Sequence, residues 1–395
     1  MLHVEHQVII LNQNAFFLCF WSYIRRDIWN VEIICNISFS GPKLPYILNV
    51  GGELSNCTVL SSVELIDPFG INAAIDVADY PAPVGQGCSA GRFHCSGFSD
   101  PNFDFVYNKT CFYLNETYQW NQFQSHLNEN RRCATCTSLY DGSGYWILGG
   151  NTYMATKSSE ILKSPEGSFE YGPVLPPEFN RPMIAPYQQC IVKINDGTFF
   201  MSGLDLMHHP FRAPKLIFYL VKFDGMNATF SKLPQSPIIS YGSHGCGFYT
   251  SSKGQNSLED TFLVVAGGFD ENYKSSNTTS IYSTQSNSWI PGPTLPRPFA
   301  AGGYVSDETF PLLLIGGCSD CDGIQYTTYN DIMSYNRDLN AFEILPGKLN
   351  TARAAFAASI VQVWAYSHFG IAHTSRALHT QSSKQHPVKK DSCKM

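Results

Sequence analysis

Short apolar runs that end in glycine punctuate the chain. Tyr46-Ile-Leu-Asn-Val, Tyr145-Trp-Ile-Leu, Leu263-Val-Val-Ala and Leu312-Leu-Leu-Ile each enter a glycine pair, at Gly51-Gly52, Gly149-Gly150, Gly267-Gly268 and Gly316-Gly317. Two degenerate copies lie between them, Phe93-His-Cys-Ser96-Gly97 and Thr198-Phe-Phe-Met-Ser202-Gly203. Apolar runs this short, bounded by turn residues, predict buried strands rather than helices. The closing glycines recur every ~50 residues, the mark of a repeat architecture.

Further marks recur inside each period. A second apolar strand follows the glycines, at 63–66, 110–113, 160–162, 218–223, 280–282 and 332–335. Large aromatics come next: Trp120, Phe169, Phe230, Trp289 and Phe342. Leu-Pro pairs follow at Leu175-Pro176, Leu233-Pro234, Leu295-Pro296 and Leu345-Pro346. A link containing arginine (Arg131-Arg132, Arg181, Arg297, Arg353) then leads into a small-residue, alternating segment such as 300–305 or 354–361.

The double glycine, the spacing from tyrosine to tryptophan and the arginine-bearing link resemble the kelch family of β-propellers, over about four-fifths of the chain. The resemblance implies an all-β fold, a six-bladed kelch β-propeller with four antiparallel strands per blade, set around a channel. The first repeat departs from the pattern by lacking the aromatic, and the second and fourth keep one glycine. Calling the strands A to D from the axis outward, the first repeat starts at strand B and the chain ends its last repeat on an orphan strand A at 351–361. Pairing the two closes the ring by joining the C-terminal strand to the first blade. The alternatives are a truncated seven-bladed ring, or one in which residues 28–37 supply the missing strand. The domain reading is an N-terminal segment 1–45, a propeller 46–361 and a disordered basic tail 362–395.

Composition narrows the function classes. Charged residues make up 15% of the chain and the net charge is −6, which argues against nucleic-acid binding. Thirteen cysteines and the sequons at Asn36, Asn56, Asn108, Asn115, Asn227 and Asn277 favour a secreted or extracellular glycoprotein with disulfides, against a cytoplasmic scaffold. The apolar stretch from Gln7 to Ile24 is broken by Asn12, Gln13 and Asn14. It is an atypical signal or anchor, so a membrane enters only if that segment is an anchor.

The B–C and D–A loops emerge together on one face, where they would meet an unknown protein or glycan ligand. Arg132, Arg181, Arg297 and Arg353, ringed there, could clamp carboxylates; the structural reading is that they bond backbone carbonyls and neighbouring acids. The long loop 204–215 brings His208, His209 and Arg212. Cys318 and Cys321, and Cys133 and Cys136, form two Cys-x-x-Cys pairs too far apart for one zinc site, so a local or cross-strand disulfide is expected and no metal. Cys95 pairs with either Cys88 or Cys111. Some kelch-like propellers are enzymes, copper radical oxidases and a sialic-acid epimerase among them. This chain shows no catalytic motif and no copper-ligand arrangement, and has no room for the oxidases' extra domain or for a BTB domain. The expectation is a non-enzymatic binding module without cofactor; the alternatives are an enzyme on a sugar-like acidic substrate and an intracellular kelch scaffold.

Overall fold

The computed structural model describes residues 6–12, 15–20, 43–72, 74–98, 109–139, 142–150, 158–176, 190–205, 215–237, 242–251, 260–270, 272, 274–319, 321 and 326–364. Contacts divide the chain into two units, residues 1–46 with 362–386, and 47–361 with 387–395. In the first, β1 (His6–Asn12) and β2 (Ala15–Phe20) form an antiparallel hairpin in which Val8 pairs with Leu18. Among the described residues no helix is long and apolar enough to cross a membrane.

The second unit holds the blades. Blade one carries β3 (Lys43–Val50) and β4 (Val63–Ile66). Blade two has β5 (Cys88–Ala90), β6 (Phe93–Cys95), β7 (Cys111–Leu114) and β8 (Trp120–Gln122). Blade three has β9 (Thr135–Leu139), β10 (Gly144–Leu148), β11 (Ser159–Leu162) and β12 (Glu170–Tyr171). Blade four has β13 (Ile191–Asn195), β14 (Thr198–Asp205), β15 (Lys215–Phe223) and β16 (Ala228–Lys232). Blade five has β17 (Gly245–Ser251), β18 (Asp260–Ala266), β19 (Thr279–Ser283) and β20 (Ser288–Pro291).

Blade six begins with β21 (Gly303–Val305) and β22 (Leu313–Ile315). Its B–C loop carries a two-residue hairpin, β23 (Cys318–Ser319) with β24 (Thr327–Thr328). The blade resumes with β25 (Asp331–Asn336) and β26 (Ala341–Lys348). The last strand, β27 (Ala357–Trp364), lies beside β3 as strand A of blade one, so the ring closes through the C-terminal strand as the sequence predicts. It runs three residues beyond the predicted boundary. In blade one the outermost strand is reduced to a single bridge, Leu65 to Ile75, which matches the missing aromatic there.

Blade faces are buried against their neighbours. The interface of blades two and three packs Phe93, Phe123 and Tyr145; that of three and four packs Trp146, Phe199 and Phe223. Further apolar layers join four to five, five to six, and six to one. A blade can bury these faces only by stacking. The D-strand tryptophans also tie blade to blade: Trp120 Nε1 donates to Ala78 O at 3.0 Å and Trp289 Nε1 to Pro234 O at 2.8 Å.

The closing glycine of four repeats has a definite task. Its N–H donates across the blade boundary to the next D–A link: Gly52 to Val84 at 2.8 Å, Gly97 to Arg131 at 3.0 Å, Gly268 to Phe299 at 2.7 Å and Gly317 to Arg353 at 3.0 Å. These glycines have φ between 87° and 104°, a region closed to L side chains without strain. A Cβ on Gly317 would also lie 2.7 Å from Ala300 O.

Nearer the axis a second chain of bonds runs from link to link. Ala301 N–H donates to Ser243 O, Ala355 to Ala301, Gln86 to Ala355 and Cys133 to Gln86, at 2.6–3.1 Å. All five residues are left-handed, with φ of 51–56°, though none is glycine. Each such residue carries a strain of about 1–2 kcal/mol, held by the collar of hydrogen bonds through blades five, six, one, two and three.

Gly317→Ala should therefore lower unfolding free energy by more than about 2 kcal/mol through strain and collision. Gly91→Ala, at φ 56° with open space around its Cβ, should cost only about 1 kcal/mol. Denaturant titration of the two variants checks the difference.

Candidate functional site

The link arginines are structural clamps. Arg353 is fully buried. Its guanidinium donates to Gly51 O at 2.8 Å, Ser62 O at 3.0 Å and the Glu64 carboxylate. Burial pulls the Arg353 guanidinium below its usual range, and Glu64 opposes that shift. In blade three the same arrangement is made by Arg131, which donates to Gly149 O and to Glu160 Oε1 at 3.0–3.1 Å. Arg297 grips Asp331 and donates to Gly316 O at 2.9 Å while stacking on Tyr329 at 3.8 Å. Each arginine thus bonds the first glycine's carbonyl and an acid on or beside strand C.

Arg297 and Arg353 accordingly turn inward, and reaching a ligand carboxylate would require breaking these bonds. Arg132, adjacent to the clamp Arg131, is half-buried beside Glu53 and Cys133. Sequence reading could not separate the two adjacent arginines. Arg181, His208, His209 and Arg212 lie outside the described residues, as do Asn36 and Asn108.

Strand A residues line a cavity of about 220 Å³ along the axis. Its wall is mostly Gly, Ala, Ser and Thr, contributed by blades one, two, three, four and six, with Lys193 and Asp307 among its few charged groups. Tyr304, from blade six, reaches across it. The Ile191 N–H of blade four donates to the Tyr304 phenol oxygen at 3.2 Å, and Thr135 of blade three shares a hydrogen bond with the same phenol. Burial pushes the Tyr304 phenol up to about 12. The phenol therefore bars the channel, a feature the sequence reading missed because one tyrosine in a small-residue strand gives no signal of direction.

At the B–C/D–A mouth sits Glu53, 5% exposed. Burial raises its carboxyl to about 7, opposed by a hydrogen bond from Tyr326 and by the charge of Arg132. The Tyr326 phenol lies 3.0 Å from Leu54 O as well, so its single proton is shared between that carbonyl and Glu53; the Cys133 thiol donates to Gln86 Oε1 at 2.9 Å. Two histidines are buried. His94 Nδ1 bonds Ser89 Oγ at 2.8 Å and His244 Nε2 bonds Ser202 Oγ at 3.0 Å. Burial lowers them to about 3 and about 4.

The cysteines resolve in part. Cys95 pairs with Cys111, Cys318 with Cys321 and Cys190 with Cys246. Cys88 and Cys136 are buried thiols outside any disulfide, so the second Cys-x-x-Cys pair is not bridged. Asn56, Asn227 and Asn277 are exposed, while Asn115 is half-buried and caps its own turn through Thr117 and Gln119.

The Kelch motif family matches residues 263–296, which hold strands B to D of blade five. A solved structure titled "Structure of YjhT" is similar over 78% of this chain and 99% of that chain, with a TM-score of 0.51 and 15% identity; at that identity the likeness bears on fold alone. No curated protein matches the chain. The chain is thus a six-bladed β-propeller whose fifth blade carries a Kelch motif.

Arg131→Ala and Arg353→Ala should each destabilise the fold by about 3–5 kcal/mol, since each strands a buried carboxylate. Breaking the exposed Lys163–Glu170 pair by Glu170→Ala should cost under about 1 kcal/mol. Denaturation midpoints compare them. The buried ionisable groups set opposed pH slopes. The unfolded chain binds protons at the His94 and His244 positions below 6.5, so their contribution is lost as pH falls from 6.5 towards 3. Glu53 stabilises most below 4.5, and that contribution is lost as pH rises through about 7. Glu53→Gln should flatten the neutral limb of a melting-temperature profile and leave the acid limb unchanged.

Proposed function

We propose that the chain is a non-enzymatic binding module that presents its B–C and D–A loops to an extracellular protein or glycan. The observation that carries this reading is the barred channel: Tyr304 spans it from blade six to blades three and four. Pockets that take small substrates are open clefts with convergent polar groups, and here the axial wall is made of small residues. Binding then falls to the loop face, where Arg132 is half-buried; in sequence, Arg181 belongs to a D–A link, and His208, His209 and Arg212 to the B–C segment between β14 and β15. The Cys95–Cys111, Cys190–Cys246 and Cys318–Cys321 disulfides and the exposed Asn56, Asn227 and Asn277 support a secreted glycoprotein.

A second reading, an enzyme acting on a sugar-like acidic substrate, is favoured by one group. Glu53, held near neutral pKa beside Arg132 and Tyr326, has the protonation balance of a general acid–base.

Two assays separate the readings. The full chain, secreted from a eukaryotic host, is applied to arrays of glycans and extracellular proteins. The expected result is saturable binding that the His208→Ala/His209→Ala/Arg212→Ala variant loses at unchanged melting temperature. Saturable turnover of sugar acids, abolished in Glu53→Gln, would instead establish the enzyme.

A further inference from the structure

We propose that Cys88 and Cys136 are a disulfide site that joins blades two and three, the counterpart of the Cys190–Cys246 bridge between blades four and five. The two pairs occupy equivalent places in the repeat. Cys246 and Cys136 are each the second residue of a strand A, β17 and β9. Each follows a left-handed link residue by three positions, Ser243 and Cys133 respectively. Their partners open the strand A of the preceding blade: Cys88 is the first residue of β5, and Cys190 immediately precedes β13.

Packing direction agrees. Cys88 and Cys136 both point into the core between blades two and three, as Cys190 and Cys246 both point into that between four and five. The Cys88 and Cys136 thiols already share a hydrogen bond, so little movement separates them from a covalent link. Cys95, which lies opposite Cys88 in the β5–β6 ladder, is committed to Cys111. Both residues also lie in the wall of the axial cavity.

The chemistry needs a two-electron oxidant, and a small-molecule or protein disulfide, RSSR, supplies it. One thiolate attacks RSSR to form a mixed disulfide and releases RS⁻, which takes up a proton. The second cysteine sulfur then displaces the other RS⁻, which takes up its proton. The net change is two cysteine thiols plus RSSR to one cystine plus two RSH. Burial pushes the Cys136 thiol up.

The test is made on the full wild-type chain. It is incubated with oxidised glutathione, unfolded in the presence of N-ethylmaleimide, digested without reductant and mapped by mass spectrometry. The expected product is a peptide pair joining Cys88 to Cys136, with loss of both maleimide adducts, alongside the Cys190–Cys246 pair; Cys133 carries the adduct. Alkylated Cys88 and Cys136 in protein whose Cys190–Cys246 bridge has formed would overturn the proposal. So would Cys88 joined to Cys95, Cys111 or Cys133. In Cys136→Ser, Cys88 should regain its adduct, and the drop in melting temperature on reduction should be smaller than in wild type. An equal drop in both proteins also overturns the assignment.

Discussion

One backbone hydrogen bond repeats at the blade boundaries, and the rest of the propeller is arranged around it. The second glycine of a repeat donates its N–H to the carbonyl of the next D–A link. For that bond to form, the chain must leave strand B with φ near 90–100° and approach the neighbouring backbone closely, which only glycine permits. The bond fixes where the link runs. The link in turn brings strand A to the axis, where the collar through Ser243, Ala301, Ala355, Gln86 and Cys133 continues from blade to blade. Apolar stacking supplies most of the driving force for assembly, but it is non-directional. The glycine bond and the collar decide which edge of one blade meets which edge of the next.

The clamp arginines serve the same geometry from the other side. Arg131 and Arg353 satisfy the first glycine's carbonyl, which the turn leaves without a ladder partner, and place a cation against Glu160 and Glu64. A buried ion pair of this kind contributes little net stability against an apolar alternative, but its geometry is specific. It holds the link, and therefore the loop face, in one position. With the channel barred at Tyr304 and its wall built from small side chains, this rigidly held face remains as the surface on which loops can vary without disturbing the ring.

Much of this architecture was legible in the sequence because it rests on side-chain types with narrow uses. Gly52, Gly268 and Gly317 mark a backbone position that excludes other residues, and Trp120 and Trp289 mark the outer strand. The orphan small-residue segment at 354–361 pointed to ring closure. The collar was not legible, because Gln, Cys, Ser and Ala occupy its left-handed positions and the shared property is a backbone angle rather than a side chain. Arg131 and Arg132 differ by one residue, and only the strand path reveals which turns inward. The cysteine pattern narrowed Cys95 to two partners, and the choice of Cys111 over Cys88 depends on which of two flanking strands offers its side chain. The raised carboxyl of Glu53 had no sequence signature, since its surroundings include Tyr326 and Arg132, both far from it in the chain.

Ring closure by β27 carries a consequence for biosynthesis. β3 is among the first propeller strands to leave the ribosome, and its inner-edge partner is the last. At about 5–20 residues per second, roughly 300 intervening residues take on the order of 15–60 s to appear. Through that interval the nascent chain holds an unpaired apolar strand edge, the kind of surface that recruits other strands. Five blades can stack behind it, but none can cover it. The vulnerable species for this protein is therefore the nearly finished arc, and a chaperone that shields a single strand edge would act on it for most of translation.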